Sequence, residues 1–354
     1  MPKPQSIVSG APPHEARWWE PAPDGRVHCF LCPRHCRLRV GQAGFCAIRL
    51  NQAGRLVSLG YGAPAAVHVD PIEKKPLFHF LPGSRVLSLG TVGCDLGCVF
   101  CQNWDLSRSP PEPAERRLPP AEVVSLARGS DCPAIAFTYN EPTIWAEYAL
   151  DIAAAAREHG IAAVMVTNGY ITRAAFHDVY DHVAAANVDL KALDDGFYRR
   201  YTRARLEPVL DALLWLRGET SVWVEITNLV IPTLNDRPDD VRRLADWVLG
   251  HLGPDVPVHF TAFHPDFRLR DLPPTPPATL RMARRVAREA GLRYVYEGNV
   301  AGDGAHTLCP DCGRLLVRRS WHEVLENRLA EGQCPGCGRT VPGRWTSALP
   351  KETS

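Results

Sequence analysis

The placement of cysteines constrains this chain more than any other feature. Eleven of the twelve cysteines fall into three local groups: Cys29, Cys32, Cys36 and Cys46; then Cys94, Cys98 and Cys101; then Cys309, Cys312, Cys334 and Cys337. In a reducing compartment, grouped thiolates hold metals more often than they form disulfides. We therefore expect three metal centres. Cys132 stands alone, and we expect it to be a small buried apolar side chain.

The sequence shows no signal for export or membrane insertion. Residues 1–19 lack the apolar stretch of a signal peptide, and no later segment is long and apolar enough to span a bilayer. The formal net charge of +1 gives no overall attraction for nucleic acid or anionic lipid. We expect a cytoplasmic protein with no membrane partner, and nucleic acid is not an expected partner.

Short β-branched runs alternate with helical patterns over most of the chain, which is typical of a parallel α/β sheet. The predicted strands are residues 85–88, 134–138, 162–167, 186–190, 222–228, 258–263 and 293–297. The predicted helices include residues 144–159, 173–184, 239–252 and 279–290. Six or seven such units predict a full or partial (β/α) barrel.

The length of 354 residues exceeds what one compact core usually needs, so we expect smaller attachments to the barrel. The predicted organisation is an N-terminal cysteine-rich region at residues 1–84, the barrel at 85–300, and a C-terminal four-cysteine metal ribbon at 301–354. The proline-rich stretches at residues 109–120 and 273–277 read as loops.

Polar residues follow the predicted barrel strands. In such barrels the chemistry lies where strands end and loops begin. The residues at these positions include the Cys94 loop, Tyr139 to Pro142, Asn168 with Gly169, Asp189 with Lys191, Asn228, and His264. These strand ends are therefore the predicted location of the active site.

The central cysteines have the spacing C-x3-C-x2-C in a loop directly after a strand, within GCDLGCVFCQNW. This compact spacing suits an iron-sulfur cubane better than a tetrahedral ion, because a structural zinc site normally has four ligands. Three thiolates leave one iron of a cubane without a protein ligand. Such an iron can bind a substrate chelate.

The C-terminal cysteines form two knuckles, CPDCG and CPGCG. This four-thiolate ribbon pattern is specific for a closed tetrahedral site, most often zinc, with a rubredoxin-like iron as the alternative. So short a segment needs a metal to hold its fold, and we expect that to be its main role.

The N-terminal cysteines are spaced C-x2-C-x3-C-x9-C, with a glycine-containing loop that brings Cys46 back to the others. Zinc and an accessory iron-sulfur cluster are both compatible with four thiolates, and the spacing does not separate them. Zinc is the first expectation.

The central motif, with Phe100 before its last cysteine, resembles that of the radical S-adenosyl-L-methionine (SAM) superfamily. The resemblance implies an enzyme with a 4Fe-4S cluster on Cys94, Cys98 and Cys101, whose remaining iron binds SAM. It also implies reductive cleavage of SAM to methionine and a 5'-deoxyadenosyl radical, which removes hydrogen from a substrate. An electron donor such as flavodoxin or ferredoxin is then an expected partner.

Further segments resemble those around the SAM pocket of such enzymes. FTYNEP at residues 137–142 resembles the motif that holds the SAM amino group, which would make Glu141 a SAM contact. VTNGY and VDLK resemble segments of pyruvate formate-lyase activating enzymes, so Asn168, Asp189 and Lys191 are expected to line the pocket. The alternatives are an ordinary Asn-Gly turn and a structural ion pair. Asn228 and His264 are similarly placed candidates, although His264 could simply cap the barrel mouth.

Nearly the whole chain resembles the radical SAM member of the AmmeMemoRadiSam system, a relative of pyruvate formate-lyase activating enzymes. The matching segments are CxxCPxxC, DPIEKKPLFHF, GCxxxCxFCQNW, FTYNEPT, TNGY, VDLKA, EITNLVIP and GNV. Asp95 stands where we would expect Asn, a departure that spares every expected cluster ligand.

The leading functional hypothesis is radical chemistry on a protein or peptide, such as a glycyl-radical protein. Its close rival is radical modification of a small metabolite or lipid precursor, and the sequence does not separate the two. An alternative of another class is a metal-stabilised module that binds nucleic acid or protein. A basic helix face would support that alternative, and it consists of Arg281, Arg284, Arg285 and Arg288.

Overall fold

The computed structural model describes residues 14–111 and 117–346. Residues 1–13, which include most of the segment predicted to lack a signal peptide, lie outside the described residues, as do the middle of the predicted 109–120 loop and residues 347–354. Within the described part of the chain, every helix is too short or too polar to cross a bilayer.

The N-terminal region forms two small antiparallel sheets, with strand orders β1-β6-β5 and β2-β3-β4. The strands are β1 His14–Glu15, β2 Trp19–Ala22, β3 Arg26–Cys29, β4 Arg37–Leu38, β5 Arg49–Gln52 and β6 Arg55–Ser58. Cys29 ends β3 and Cys46 lies just before β5, so the folding of these sheets brings the ends of the N-terminal cysteine motif together.

An eight-stranded sheet, β7 to β14, forms the centre of the molecule, and its strands lie side by side in chain order. They are β7 Ala66–Pro71, β8 Arg85–Gly90, β9 Ala134–Phe137, β10 Ala162–Thr167, β11 Val183–Asp189, β12 Trp223–Val230, β13 Val258–Ala262 and β14 Val295–Gly298. Strands β8 to β14 are parallel, whereas β7 pairs antiparallel with β8. The sheet ends at β7 and β14, so it is an open, partial barrel.

Helices connect the parallel strands, as the predicted strand-helix alternation requires. They are α1 Trp104–Ser107, α2 Pro120–Gly129, α3 Ala146–Arg157, α4 Arg173–Tyr180, α5 Asp195–Phe197, α6 Glu207–Glu219, α7 Pro238–His251 and α8 Pro277–Ala290. A π-helical turn, Tyr198–Thr202, follows α5. Helix α8 begins with Pro277 and ends at Ala290. The next residue, Gly291, has a φ of 119°, which suits a residue without a side chain.

Strands of a parallel sheet are covered on both faces, which explains their continuous apolar sequences. In β10, AAVMVT, five of the six residues are buried. Cys132 is also buried, as predicted for a lone apolar thiol. The predicted α/β fold is therefore confirmed, with the barrel in its partial form. The predicted boundary between residues 84 and 85 stays a prediction. Strand β7 precedes this boundary in the chain and nevertheless pairs with β8 of the central sheet.

The C-terminal ribbon is a three-stranded antiparallel sheet of β15 Thr307–Leu308, β16 Leu315–Ser320 and β17 Glu323–Asn327. It packs at the amino ends of the parallel strands. Arg344 Nη2 donates to Ser221 O, just before β12, over 2.8 Å. Arg319 Nη2 donates to Phe78 O, in the connection between β7 and β8, over 2.8 Å.

The N-terminal sheets pack at the opposite edge, where the parallel strands end. The Thr172 N–H, beyond the end of β10, donates to Leu31 O over 3.1 Å. Arg34 Nε donates to Asp95 O, beyond the end of β8, over 2.8 Å. The two cysteine-rich ends of the chain therefore contact opposite edges of the sheet.

Candidate metal centre

The central cysteine loop begins directly after β8 and is fastened along its backbone. The Gly97 N–H donates to Thr202 O over 2.7 Å, and the Val99 N–H donates to Tyr201 O over 2.9 Å. On its other side, Val99 O accepts from the Arg268 N–H over 3.0 Å. Because the π-helical turn and the segment after β13 both hold the loop, its shape is set by the barrel.

Asn140 holds the first residues of this loop. Its Nδ2 donates to Thr91 Oγ1 over 2.9 Å and to Gly93 O over 3.0 Å, while its Oδ1 accepts from the Thr91 N–H over 3.1 Å. A side chain after β9 therefore fixes the backbone that leads into Cys94.

Asn168 connects the same loop to the end of β10. Its Nδ2 donates to Asp95 Oδ1 over 2.9 Å and lies 3.9 Å from Cys94 Sγ. Its Oδ1 accepts from the Tyr170 N–H over 2.7 Å, as in an Asx turn. Asn168 therefore combines the predicted Asn-Gly turn with a position beside the first central cysteine.

Glu141 is buried, and donors of the chain occupy both of its carboxylate oxygens. Oε1 accepts from the Thr143 N–H over 2.9 Å and from Thr167 Oγ1 over 2.8 Å, and Oε2 accepts from the Asn168 N–H over 2.7 Å. Burial raises the pKa of Glu141, and these hydrogen bonds oppose that rise. This carboxylate links the ends of β9 and β10, while its role as a SAM contact stays a prediction.

Asp95 is a buried carboxyl beside the central thiols. Burial, together with the nearby Glu141 carboxylate, raises the pKa of Asp95. Its Oδ1 accepts from Asn168, whereas its Oδ2 is buried without a hydrogen-bond partner among the described residues. A protonated Asp95 has nearly the shape of the Asn that the family resemblance leads us to expect at this position.

The three central thiols fit a cluster better than a single ion. Among the described residues of the central loop, the sulfurs of Cys94, Cys98 and Cys101 do not all lie within 4.8 Å of one another. Four-coordinate zinc holds its sulfurs about 2.3 Å from one ion, whereas a cubane attaches each thiolate to a different iron and so does not need the thiolates as close together. Three thiolates that are not gathered like those of a single-ion site are compatible with an iron-sulfur cluster, and the assignment of its ligands stays a prediction.

Cations lie close to the same thiols. Burial raises the pKa of Cys98 to about 12, but Lys191 and Arg108 oppose this rise because their positive charges favour the thiolate. Lys191 Nζ donates to Asp189 Oδ2 over 2.6 Å, and Arg108 donates to Leu96 O within the loop. Both cations would also favour an anionic cluster held by this loop.

The other predicted pocket residues lie along the same edge with different environments. Asn228 Nδ2 donates to Leu190 O over 2.8 Å and to Lys191 O over 3.1 Å, so it holds the loop after β11. The nearby Asn235 also donates to Lys191 O, over 2.9 Å. His264 follows β13 and is exposed. Their roles in binding SAM or substrate stay predictions.

Several residues that organise this site were not among the predicted site residues. Neither Asn140 nor Asp95 had a predicted role in the site. Both follow strands, so position after a strand was the signal that could have identified them. Arg108 and Asn235 carried no such signal, because each reaches the loops through contacts that no local motif encodes.

The C-terminal cysteines are brought together as a closed site. The Sγ atoms of Cys309, Cys312, Cys334 and Cys337 all lie within 4.8 Å of one another. Cys309 Sγ is 3.5 Å from Cys337 Sγ, and Cys312 Sγ is 3.6 Å from Cys334 Sγ. Burial would raise the pKa of Cys334, but backbone N–H groups of Gly336 and Cys337 lower it. The arrangement fits one tetrahedral ion.

The N-terminal cysteines are also gathered, although less tightly. Cys29, Cys32, Cys36 and Cys46 line one enclosed cavity. Among the described residues, no three of these four sulfurs all lie within 4.8 Å of one another. The predicted grouping is therefore present, but with a wider spacing than in the C-terminal ribbon.

Comparison with known proteins identifies the domain that carries the central loop. The family model described as the Radical SAM superfamily matches residues 88–248. An uncharacterised protein of Methanocaldococcus jannaschii is 43% identical over 331 residues, which cover 92% of this chain and 98% of that protein. A pyruvate formate-lyase-activating enzyme of Clostridium pasteurianum is 24% identical over 193 residues, which cover 51% of this chain and 80% of that enzyme.

Among solved structures, a radical SAM methyltransferase from Sphaerobacter thermophilus has a TM-score of 0.48 and 18% identity, covering 67% of this chain and 71% of that one. The superfamily implies a 4Fe-4S cluster and SAM, and its members are enzymes, so the comparisons do not support the alternative that this chain is only a binding module. This chain belongs to the radical SAM superfamily and is a homologue of the activating enzymes within it.

Proposed function

We propose that this enzyme holds a 4Fe-4S cluster on Cys94, Cys98 and Cys101 and binds SAM at the iron that these thiolates leave free. The observation that carries the proposal is the loop after β8 within the radical SAM domain, which presents three thiols that, unlike the four of the C-terminal site, do not all lie within 4.8 Å of one another. Asn140 and Asn168 tie this loop to the strand ends, where barrel enzymes carry out their chemistry.

The residues of the chain would hold and orient these groups. Asn140 and Glu141 fix the backbone at the ends of β8, β9 and β10. The positive charges of Lys191 and Arg108 would stabilise an anionic cluster. We place Asp189 and Asn228 beside SAM or substrate, and His264 at the mouth. When bound, the cluster and SAM would supply a 5'-deoxyadenosyl radical that removes a hydrogen atom from the substrate.

We further propose that the substrate is a protein or peptide, such as a protein of the glycyl-radical type. Support comes from the homologous pyruvate formate-lyase-activating enzyme, whose name identifies a protein target for that relative. The open sheet also supports it, because β7 and β14 leave the barrel unclosed between them. Membership of the AmmeMemoRadiSam system, a flavodoxin or ferredoxin as electron donor, and a cytoplasmic location are further parts of this proposal.

A second candidate, a small metabolite or lipid precursor, is favoured by a cavity of about 370 Å³ beside the ends of β11 and β12. Its lining is polar and carries both signs of charge, because Asp240 pairs with Arg237 and Arg243; the polar lining residues are Asn228, Asn235, Arg200, Arg237, Arg243, Asp194 and Asp240. Pockets for small molecules are commonly of this size, with a few convergent polar groups. A polar small molecule would suit this lining.

Anaerobic reconstitution tests the reaction. The protein is loaded with iron and sulfide, reduced with dithionite and given SAM, and 5'-deoxyadenosine and methionine are measured. We expect both products from the native chain and neither from Cys98→Ala, because that variant lacks one thiolate of the cluster. Cys132→Ala is the matched control, since its thiol is buried away from the three cysteine groups. A fully loaded cluster without SAM cleavage would contradict the proposal.

Deuterium transfer separates the two substrate classes. The reduced enzyme is given SAM with size-separated fractions of a deuterated cell extract, and deuterium in 5'-deoxyadenosine is measured by mass spectrometry. Transfer from the macromolecular fraction would support a protein or peptide substrate. Transfer confined to the low-mass fraction would support the metabolite alternative.

A further inference from the structure

The N-terminal cysteines surround a cavity that is separate from the central loop. Cys29 and Cys46 are buried, while Cys32 and Cys36 are partly exposed. Apolar side chains complete much of the wall, including Leu31, Leu38, Phe45 and Ile144. Four thiols around one small cavity make a candidate metal site that is separate from the proposed SAM-binding cluster.

The sulfurs of this site are less closely gathered than those of the C-terminal ribbon. No three of the four lie within 4.8 Å of one another, in contrast to the C-terminal cysteines. Cys36 and Cys46 nevertheless face the same point, because a Cβ built on Gly44 would lie 3.6 Å from one sulfur and 3.7 Å from the other. Tetrahedral zinc holds its sulfurs about 2.3 Å from one ion, whereas a cubane attaches each thiolate to a different iron and so accommodates sulfurs that are farther apart.

Two guanidinium groups provide a second, independent indication. Arg34 and Arg49 both line the cavity. Arg34 Nη2 and Arg49 Nε are buried and have no hydrogen-bond partner among the described residues. Buried N–H groups normally find an acceptor, and the inorganic sulfides of a cluster would provide several. The positive charges also suit the net negative charge of a thiolate-bound cluster.

The cavity adjoins the central loop through two contacts on either side of Cys94. The carbonyl oxygen of Cys46 packs so closely on Gly93 that a Cβ there would lie 2.1 Å from it. Arg34 Nε donates to Asp95 O over 2.8 Å. A metal centre on the N-terminal cysteines would therefore neighbour the proposed SAM-binding cluster, where an electron carrier would be useful.

We infer that Cys29, Cys32, Cys36 and Cys46 hold a 4Fe-4S cluster that relays electrons to the iron held by Cys94, Cys98 and Cys101. A low-potential one-electron carrier protein of the ferredoxin or flavodoxin class loses one electron, and the N-terminal cluster takes it up and passes it on. No bond forms or breaks at the N-terminal cluster, because each of its irons has a cysteine ligand. The relay rests on the proposed function, whereas the identity of the metal does not.

A full-length chain that lacks the central ligands tests the metal directly. The Cys94→Ala, Cys98→Ala, Cys101→Ala triple variant is reconstituted anaerobically with iron and sulfide in the presence of equimolar zinc. We expect about four irons and about four sulfides per chain, with an EPR signal on reduction. Adding Cys29→Ser should remove this iron. Zinc without iron at the N-terminal site of the triple variant would overturn the inference, even if the native chain cleaves SAM.

The relay is tested in the chain with intact central cysteines. Rapid-mixing spectroscopy compares reduction of the central cluster by reduced flavodoxin and by dithionite in the native chain and in Cys29→Ser. We expect the ratio of the flavodoxin-driven rate to the dithionite-driven rate to be lower in Cys29→Ser than in the native chain. As a control, the change in the EPR spectrum on addition of SAM should show that the central site of Cys29→Ser is intact. An unchanged ratio would overturn the relay. If the ratio falls in Cys29→Ser but the native chain does not cleave SAM, the result would count against the proposed function alone.

Discussion

The two four-cysteine regions differ in geometry and in position, although both begin with the same C-x2-C spacing. The C-terminal sulfurs lie within 4.8 Å of one another, and Cys312 and Cys337 are exposed at the amino edge of the sheet. The N-terminal sulfurs are less closely gathered and line a small cavity, and the backbone of Cys46 packs against Gly93 of the central loop. In barrel enzymes the carboxyl edge carries chemistry, whereas the amino edge mainly contributes stability.

This difference teaches that short cysteine spacing identifies a metal site without identifying the metal. The N-terminal motif alone favoured zinc slightly, and the arrangement of its sulfurs now leads us to propose iron. The information that separates the two metals lies in contacts between distant parts of the chain, such as that between Cys46 and Gly93.

The largest expected effect follows removal of the C-terminal metal. Cys309→Ser combined with Cys334→Ser should abolish metal binding and unfold the ribbon, because a structural zinc contributes about 10 kcal/mol or more to such folds. Hydrogen exchange should show loss of protection in β15 to β17 and retained protection in β8 to β14. Metal analysis should show the loss of one ion.

The matched variant is Cys132→Ala, which changes a buried thiol outside the three groups and should leave the ribbon protected. SAM cleavage should persist in the ribbon variant. If the ribbon stays protected without its thiols, the C-terminal site is not structural. If the barrel stays folded and cleavage stops, the contrast between the two edges fails.

Buried arginines anchor the two regions and allow a paired test. Arg49 Nη1 donates to Glu147 over 2.8 Å at the N-terminal side, and Arg319 lies 3.6 Å from Glu73 at the C-terminal side. Arg49→Met and Arg319→Met should each lower the free energy of unfolding by about 3–5 kcal/mol, because each leaves a buried carboxylate unpaired. Urea unfolding measures the loss.

Metal content distinguishes these two variants. We expect Arg49→Met to lose N-terminal iron as well, since Arg49 lines that cavity, and Arg319→Met to keep it. Adding Glu147→Leu to Arg49→Met should restore part of the stability without restoring the iron, because it removes the unpaired carboxylate. Equal iron in the two single variants would contradict a role for Arg49 beside the cluster.

The sequence predicted the parallel part of the sheet well, because buried parallel strands are continuously apolar and separated by helical segments. It did not predict β7, an antiparallel edge strand in which Val67 and Val69 are exposed. Helix α6 was also missed. Its amphipathic pattern is weaker, since Leu214 is exposed and Trp215 is only partly buried.

The candidate site was predicted in part for a similar reason. The cysteine motifs and strand-end residues such as Asn168 are visible in short segments. The hydrogen bonds of Asn140 to Thr91 and of Arg34 to Asp95 connect segments that are distant in sequence, and no local pattern specifies them. The spacing of the sulfurs depends on these contacts, which explains why the N-terminal metal could not be chosen from the sequence.

Gly93 tests the contact between the N-terminal region and the central loop. Gly93 has a φ of 86°. Its matched control is Gly54, because Gly54 has a φ of 87° but no atom within 4 Å of an added Cβ. Gly54→Ala should cost about 1–2 kcal/mol from backbone strain alone. Gly93→Ala should cost about 1–3 kcal/mol more, because its Cβ overlaps Cys46 O.

Urea unfolding and iron content together measure this contact. Gly93→Ala should also reduce the iron bound at both cysteine groups that meet there, whereas Gly54→Ala should bind iron like the native chain. Equal stability losses in the two variants would show that the close approach of Cys46 relaxes easily, and would weaken the connection between the two sites.

The smallest effect is expected at Asp95. Asp95→Asn keeps an acceptor for Asn168 and removes a buried carboxyl, so stability and iron content should change little. Asp95→Leu has a similar volume but leaves Asn168 Nδ2 without this acceptor, at a cost of about 1–3 kcal/mol. It should also loosen the loop around Cys94. Urea unfolding and the EPR spectrum of the central cluster measure these effects. A loss in Asp95→Asn as large as that in Asp95→Leu would show that the carboxyl group of Asp95, rather than its hydrogen bond to Asn168, supports the site.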